Sequence, residues 1–228
     1  MFRQWRLRKR CQALARQCRQ ASLESYIDVC AGLHVDTLVN TPLISVDLEL
    51  TGLDARQNQI IAIGWTQVDH GRIQFGSNRH IMVSAEQSVG HSAAIHELTD
   101  SEVAGGVPLE TGLQALFEAA TGRVWIFHHA GLDVAFLQQA CLTWADVAPP
   151  FAVLDTLHME LVMRKRRDQP VQQGELQLGS LRSRYNLPRY TAHNALIDAC
   201  ATAELILAIS SRMDPSGALR LKPNLRYY

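Results

Sequence analysis

LISVDLELTGL, residues Leu43–Leu53, is the stretch that decides the fold of this 228-residue chain. Its apolar start, followed by carboxylates at alternate positions, is typical of a β-strand that begins inside a hydrophobic sheet. Side chains at i and i+2 of a strand leave on the same face, so Asp47 and Glu49 point together. Two carboxylates this close repel each other unless a cation lies between them. Mg²⁺ and Mn²⁺ prefer such oxygen ligands; the alternative is a strand end whose two acids merely face water.

Strand and helix patterns around this run predict an α/β fold. Three strands come first, joined in part by the hairpin signal Asp69-His70-Gly71; we place them at Leu43–Leu48, Gln59–Val68 and Arg72–Val83. Strands then alternate with helices along the chain, over Leu109–Ala120, Arg123–Phe127, Leu132–Trp144, Phe151–Leu154, Thr156–Arg166, Leu176–Tyr185 and Ala195–Arg212. This order indicates a mixed sheet of three antiparallel strands followed by parallel strands, flanked by helices. Ligands of such sheets bind beyond the strand ends, where Asp47 and Glu49 lie.

The chain divides by composition into three parts. Residues 1–40 form a basic helical extension, because residues 1–20 carry seven basic side chains and no acidic one. Residues 41–212 form the main domain, and residues 213–228 form a C-terminal tail without a clear periodic pattern. A second basic cluster lies at Arg164–Arg167. Either cluster could contact phosphates, although a solvated face is the commoner reason for such a run.

Composition restricts the partners and the compartment. Lys plus Arg equals Asp plus Glu, at 22 each, so nothing supports tight non-specific binding of long duplex nucleic acid. A small site for one strand end remains compatible with this charge balance. The five cysteines are scattered without a CxxC pair, which indicates a reduced, cytoplasmic compartment rather than a zinc or disulfide framework. No apolar stretch approaches the ~20 residues that cross a bilayer, so we expect no membrane association.

Two later segments supply further candidate groups. Asp133 follows a buried strand in the first turn of the next helix, where the helix dipole alone would also favour an acid. His193 and Asp198 are five residues apart, about 140° on a regular helix, so they share a site only if His193 precedes the helix. Asn194 is then a natural helix cap.

The four acids and the histidine make chemical sense as one set. Four carboxylates around two cations form a clamp for in-line displacement at phosphorus. Histidine is suited to remove a proton from the attacking water, because imidazole titrates near neutral pH.

The three segments together resemble the signature of the DEDDh exonucleases, the DnaQ-like proofreading family of the ribonuclease H-like superfamily. The resemblance covers roughly residues 43–210. It rests on Asp47-Leu48-Glu49 with Thr51-Gly52-Leu53, on His129-Ala130 with Asp133 and Phe136-Leu137, and on His193-Asn194-Ala195 with Asp198-Ala199.

The resemblance implies a 3′→5′ exonuclease that uses two divalent cations, Mg²⁺ or Mn²⁺. Asp47 would bridge both ions, Glu49 and Asp198 would hold the ion that carries the attacking water, and Asp133 would support the second. His193 would act as the general base. The product would be a nucleoside 5′-monophosphate released from the 3′ end of a single-stranded or frayed nucleic acid.

The resemblance also implies substrate contacts near these groups. The expected substrate-binding residues are Leu48, Leu50, Thr51, Gly52, Leu53, His96, His129 and Phe136. Several aromatic residues on apolar runs are better read as core than as base-stacking groups, namely Trp65, Phe75, Trp125, Phe127 and Phe136.

The substrate and the partners stay open at this stage. The segment VDLELTGLD is closer to the oligoribonucleases, which degrade very short RNA, whereas the second and third motifs are closer to the proofreading branch. We favour single-stranded DNA 3′ ends, with short RNA as the alternative. A non-catalytic module attached to a DNA polymerase is a third reading, although all five catalytic positions are present. Association with a polymerase or a replication or repair complex, and a homodimer, are compatible with the resemblance.

Overall fold

The central element is one mixed β-sheet. The computed structural model describes residues 2–84, 105–191 and 193–228, with side chains from residue 9 onward. The strands in this described part are β1 (Leu43–Leu50), β2 (Ile60–Asp69), β3 (Arg72–Met82), β4 (Val124–Phe127), β5 (Ala152–Asp155) and β6 (Leu225–Tyr227). They lie in the order β3-β2-β1-β4-β5-β6.

The strand directions confirm the predicted mixed sheet. β1, β2 and β3 are antiparallel neighbours, and β4 and β5 continue the sheet in parallel with β1. β6 was not predicted, because its three residues lie in the tail that has no periodic pattern. It pairs antiparallel with β5 and forms the opposite edge of the sheet from β3.

Helices cover both faces of this sheet. They are α1 (Phe2–Gln17), α2 (Ala21–Cys30), α3 (Leu109–Ala120), α4 (Gly131–Ala145), α5 (Thr156–Arg166), α6 (Leu178–Arg184) and α7 (Ala195–Met213). One apolar core joins the sheet to α1–α4, and a second core joins its other face to α5–α7. Successive side chains of β1 point alternately toward the two cores. Leu48 and Leu50 belong to the first core, so Asp47 and Glu49 point toward the face that carries the second core.

The N-terminal helices are part of the first core. Tyr26 of α2 is buried, and its ring lies 5.1 Å from that of Phe117 and 5.9 Å from that of Trp125. Its hydroxyl donates to the Pro150 carbonyl oxygen at 2.8 Å and accepts from the Trp125 indole N–H at 3.0 Å. Buried aromatic pairs of this kind contribute about 0.5–1.5 kcal/mol beyond their area. The division of the chain at residue 40 stays a prediction.

Most of the aromatic residues predicted for the core lie there. Trp65, Trp125, Phe127 and Phe136 are buried, whereas the prediction for Phe75 is wrong, because its side chain is 68% exposed. Phe75 lies on β3, an edge strand on which exposed and half-buried positions alternate. Among the described helices, none is long and apolar enough to span a bilayer.

Gly64 of β2 allows the first turn of α7 to lie directly on the sheet. A Cβ built on Gly64 would lie 2.1 Å from the backbone carbonyl carbon of Ala195 and 2.2 Å from the backbone N of Leu196. Gly64 is paired with Asp47 in the β1–β2 register, so the helix start packs beside the acid. Any side chain at position 64 would therefore push the start of α7 away from β1.

We predict that Gly64→Ala lowers the free energy of unfolding by about 1–3 kcal/mol, as overpacking of a close contact does. Chemical denaturation at fixed pH measures this. Gly76→Ala on β3 is the matched control, because a Cβ at Gly76 meets no atom within 4 Å. Equal stabilities of the two variants would contradict the proposed contact.

Candidate active site

β1 presents the first two acids on the face covered by α7. Asp47 lies opposite Gly64 and Glu49 lies opposite Ala62 in the β1–β2 register. These small partners leave room above the strand for the carboxylates and for the helix. Asp47 is half-buried and Glu49 is buried. The strand extends to Leu50, so Glu49 also lies within it, whereas the predicted strand ended at Leu48.

The start of α7 brings in the third acid. Asn194 is the N-cap, and its side-chain oxygen accepts from the Ile197 backbone N–H at 3.1 Å, as predicted. His193 precedes the helix, and its backbone N–H donates to Asp198 Oδ2 at 2.9 Å. Carboxylate oxygens of Asp47, Glu49 and Asp198 all lie within 4.8 Å of one another. The structure thus brings together the first and third motifs.

The fourth acid, Asp133, approaches from the first turn of α4. It is buried, and the backbone N–H of Leu48 donates to its carboxylate. Asp133 lies outside the group of three acids within 4.8 Å, but its charge raises the pKa of Asp47 and of Glu49. Asp133 therefore lies close enough to the other acids to repel them, although it comes from the helix that follows β4.

Asp155, which the sequence reasoning did not identify, holds the turn that leads to Asp133. Its carboxylate accepts from the backbone N–H groups of His129 and Ala130, each at 3.2 Å. It also accepts from the His158 N–H at 3.2 Å and so caps α5. An Asp at a strand end just before a helix is the signal that could have revealed it.

Two histidines of the site have left-handed backbone conformations. The φ angle is 71° at His129 and 70° at His193. Such values are uncommon outside glycine and cluster at functional sites, where the surroundings hold them. Both side chains are exposed, and both line the same cleft.

Burial raises the pKa of all four acids, and the charges of the other acids raise it further at Asp47 and Glu49. The pKa of Asp47 lies well above its usual range because of desolvation, followed by the charges of Asp133, Asp198 and Glu49. Desolvation, then the charges of Asp198 and Asp133, raises the pKa of Glu49 to about 8. Desolvation raises the pKa of Asp133 to about 7. Desolvation also raises the pKa of Asp198, and the His193 N–H opposes it.

This donor set fits a divalent cation. Its ligands are carboxylate oxygens without a cysteine, which suits Mg²⁺ or Mn²⁺ better than zinc. A cation between the acids would restore their charged forms, since an opposite charge nearby lowers a carboxyl pKa.

The remaining predicted residues lie in different surroundings. Thr51 Oγ1 accepts from the Gln59 N–H at 2.9 Å and fixes the turn after β1, where Leu53 is 82% exposed. A Cβ at Gly52 would lie 2.4 Å from Asn58 Oδ1, so any other residue there would force the Asn58 side chain to shift. His96 lies outside the described residues.

Three predicted contacts belong to the first core rather than to the acidic face. Leu48, Leu50 and Phe136 are buried in that core. Only small exposed fractions of these side chains are available to a substrate, and their predicted contacts stay predictions.

The second basic cluster is partly structural. Arg164 is buried: its Nε lies 3.0 Å from Glu160 Oε1, and a guanidinium NH1 lies 2.5 Å from Glu175 Oε2. Arg164 is therefore not part of a solvated face, because its guanidinium is paired within the protein, and phosphate contact by the rest of the cluster stays a prediction. Lys165, Arg166 and Arg167 are exposed.

A cleft of about 1010 Å³ opens beside the acids, and sequence reasoning missed it. Its walls come from the turn after β4, the segment around α6 and the residues before α7, which are distant in sequence. His193 and Asp198 line it, so it is continuous with the acidic centre.

Solved exonuclease structures share this fold. Exonuclease X in complex with 5′ overhanging duplex DNA matches with a TM-score of 0.57 at 21% identity, over 76% of this chain and 93% of that chain. E. coli exonuclease I in complex with a dA16 oligonucleotide matches with a TM-score of 0.62 at 12% identity. This match covers 78% of this chain and 42% of the exonuclease I chain. The fold is therefore that of the ribonuclease H-like exonucleases.

The exonuclease family model named for RNase T matches residues 44–206. The chain belongs to this exonuclease family, which confirms the resemblance to the DnaQ-like enzymes.

Its curated relatives are much longer proteins. The 3′-5′ exonuclease DinG of Staphylococcus haemolyticus is 26% identical over 195 residues, which are 82% of this chain and 21% of DinG. The PolC-type DNA polymerase III of Thermotoga petrophila is 24% identical over 185 residues, which are 80% of this chain and 13% of that protein. The chain thus spans about a fifth or less of the length of these relatives.

The raised pKa values predict opposite effects of pH without and with a divalent cation. Glu49, with a pKa of about 8 in the folded protein, keeps its proton between about pH 4.5 and 8, where the unfolded chain loses it. The free energy of unfolding of the cation-free protein therefore falls as pH rises through this window. The fall is at most about 1.4 kcal/mol for each unit by which the pKa of Glu49 differs between the folded and unfolded protein. Mn²⁺ or Mg²⁺ binds the charged acids, so its stabilising effect grows with pH.

Thermal melting from pH 6 to 8.5, in chelator and in Mn²⁺, measures both effects. We expect Glu49→Gln to flatten the fall in melting temperature and to reduce the gain with Mn²⁺. Glu118→Gln, at an exposed position on α3, is the control that should follow the wild type. A Mn²⁺ effect that is the same at every pH in all three proteins would contradict a cation site at these acids.

Proposed function

We propose that the protein is a metal-dependent 3′→5′ exonuclease that removes nucleoside 5′-monophosphates from single-stranded or frayed 3′ ends, with DNA favoured. The observation that carries this proposal is the group of three acids within 4.8 Å, one of which accepts the backbone N–H of His193. A hydrogen bond thus links the residue proposed as base to an acid proposed as metal ligand. The charges of all four acids act on one centre, as a two-cation clamp requires.

In this proposal the four acids would bind two cations, Mg²⁺ or Mn²⁺. Asp47, Glu49 and Asp198 would hold one cation, and Asp47 with Asp133 would hold a second. When bound, the cations would stabilise negative charge on the phosphoryl oxygens. Asp155 keeps the turn before Asp133 in place and has no direct part in the reaction.

His193 acts as the general base in this proposal. It takes a proton from a water molecule whose oxygen forms the new bond to the phosphorus of the terminal phosphodiester. The bond between that phosphorus and the 3′ oxygen of the preceding nucleotide breaks, and this oxygen takes up a proton. The products are a nucleoside 5′-monophosphate and a strand shortened by one nucleotide with a free 3′ hydroxyl.

The substrate preference rests on the relatives and neighbours. PolC is named as a DNA polymerase, and the exonuclease X and exonuclease I structures contain DNA. A further neighbour, however, is a 3′-exonuclease that recognises a histone mRNA stem-loop, with a TM-score of 0.62. RNA, including the very short RNA taken by oligoribonucleases, is therefore the alternative to be tested beside DNA.

Partners also belong to this proposal. The PolC relative supports association with a DNA polymerase or a replication complex. In that setting a chain without activity would serve as a polymerase-associated module. Homodimer formation stays a prediction.

Digestion of single-stranded DNA and RNA ladders tests the proposed function. With a 5′ label, Mg²⁺ or Mn²⁺ should yield a ladder that shortens by single nucleotides, and a chelator should stop it. A blocked 3′ end should protect the strand. Cleavage that starts at the 5′ end or within the strand would contradict the proposal.

We predict that His193→Ala lowers kcat by about 10²–10⁴-fold, which is the usual contribution of a general base. The variant should keep its melting temperature and its Mn²⁺-dependent stabilisation, because the bond to Asp198 uses the backbone of His193. His34→Ala, an exposed histidine outside the cleft lining, is the control. Unchanged turnover in His193→Ala would rule out this residue as the base.

We predict that Asp47→Asn abolishes cleavage and removes most of the stabilisation by Mn²⁺, because this acid contacts both proposed cation positions. The variant should melt at a temperature at least as high as the wild type in chelator at pH 8, since a neutral amide replaces a carboxyl whose charged form desolvation and the neighbouring acids disfavour. Activity and melting curves measure this. Retained Mg²⁺-dependent cleavage would show that Asp47 is not a metal ligand.

A further inference from the structure

The cleft beside the acids contains one exposed tyrosine, Tyr190, three residues before His193. Tyr190 lines the cleft together with its neighbour Arg189, and 44% of its surface is exposed. Tyrosine is a residue of intermediate burial on average, and here part of its side chain remains accessible from the cleft. No part of the proposed chemistry uses Tyr190.

Tyr190 is held in place on one side of its ring. The guanidinium carbon of the buried Arg182 lies 4.4 Å from the ring centroid. The hydroxyl of Tyr190 donates to Glu204 Oε1 at 2.8 Å, and Glu204 Oε2 in turn accepts from Arg182 at 2.7 Å. With one face on Arg182 and the hydroxyl bound, the ring is held in place, and part of it stays exposed in the cleft.

The charge of the cleft suits a nucleic acid strand. Among the described residues that line it, Arg182 and Arg189 are basic, and Asp198, which belongs to the acidic centre, is the only acid. Arg189 is exposed, whereas Arg182 is buried against Glu204. A volume of about 1010 Å³ is at the upper end of ligand sites, which run to about 1000 Å³, so the cleft has room beyond one nucleotide.

We propose that Tyr190 is a stacking platform for a base on the 5′ side of the scissile phosphodiester. This rests on the proposed function, which places the terminal phosphodiester at Asp198 and His193, both of which line the cleft together with Tyr190. The remaining strand then continues past His193 to Tyr190. Base–aromatic stacking tolerates any sequence, because every base has a π-face. Arg189 lies beside this base and contacts the backbone phosphate.

The competing explanation is that Tyr190 only supports Arg182 and Glu204. In that case the hydroxyl is the important group, and its removal would disturb the packing of Arg182 against α7 and would lower cleavage of both substrates alike. A stacking role depends on the ring and affects only substrates that have a nucleotide on the 5′ side. Two substitutions and two substrates separate these explanations.

Tyr190→Leu keeps apolar bulk over Arg182 but removes the π-face, and Tyr190→Phe keeps the ring but removes the hydroxyl. The substrates are a ten-nucleotide single-stranded DNA and the p-nitrophenyl ester of thymidine 5′-monophosphate, which has no nucleotide on the 5′ side. Hydrolysis of the ester adds water to phosphorus and releases p-nitrophenol. Phe75→Leu, at an exposed aromatic residue on β3 outside the cleft lining, is the matched control.

We expect the ratio of kcat/KM for the DNA to kcat/KM for the ester to fall roughly 5- to 100-fold in Tyr190→Leu. Tyr190→Phe should keep most of this ratio, and Phe75→Leu all of it. An unchanged ratio in Tyr190→Leu, or an equal fall in Tyr190→Phe, would overturn the stacking role.

Failure of the proposed function has a different result. A wild type that cleaves neither substrate would refute the nuclease proposal itself. Fluorescence anisotropy of a 5′-labelled ten-nucleotide DNA, measured in chelator, then still tests whether Tyr190 contributes to DNA binding. Weaker binding by Tyr190→Leu than by Tyr190→Phe would support a stacking site, and equal binding would overturn it.

Discussion

The contact between Gly64 and the first turn of α7 is the constraint on which the acidic centre depends. Because position 64 has no side chain, the backbone of Ala195 lies directly against the sheet. Asp198, one turn further along α7, then reaches the carboxylates that β1 presents from the neighbouring strand. Two elements separated by more than a hundred residues of sequence are thus brought together by a missing methyl group. The acids themselves repel one another, as their raised pKa values show, so packing rather than charge holds them in place.

Much of the sheet could be predicted from the sequence because its signals are local. Alternation in β1 indicates which face carries Asp47 and Glu49, and the position of Asn194 indicates where α7 begins. These patterns report the chain's own periodicity and caps, which need no knowledge of distant partners. The placement of the acids on one side of the sheet follows from them, and the family resemblance supplied the expectation that they act together.

The features that sequence reasoning missed depend on long-range contacts. β6 exists because β5 offers an unpaired edge, and its three residues have no periodicity to detect. Phe75 lies on an apolar run, yet it is exposed because its strand is the opposite edge. Arg164 belongs to a basic run whose other members are exposed, but it is buried because its guanidinium pairs with Glu160 and Glu175. The cleft arises from segments that meet only in the folded chain.

Asp155 attaches two functional regions to a single carboxylate. Its oxygens bind the turn that precedes the acid-bearing helix α4 and the first turn of α5, whose Leu157 lines the cleft. The cleft wall and the alignment of the acids therefore depend on one carboxylate at the end of β5. Such an arrangement can set the distance between the cleft wall and the acids without any domain closure. It also couples the stability of the turn before α4 to that of the start of α5, since local unfolding of β5 would break the hydrogen bonds of Asp155 to both.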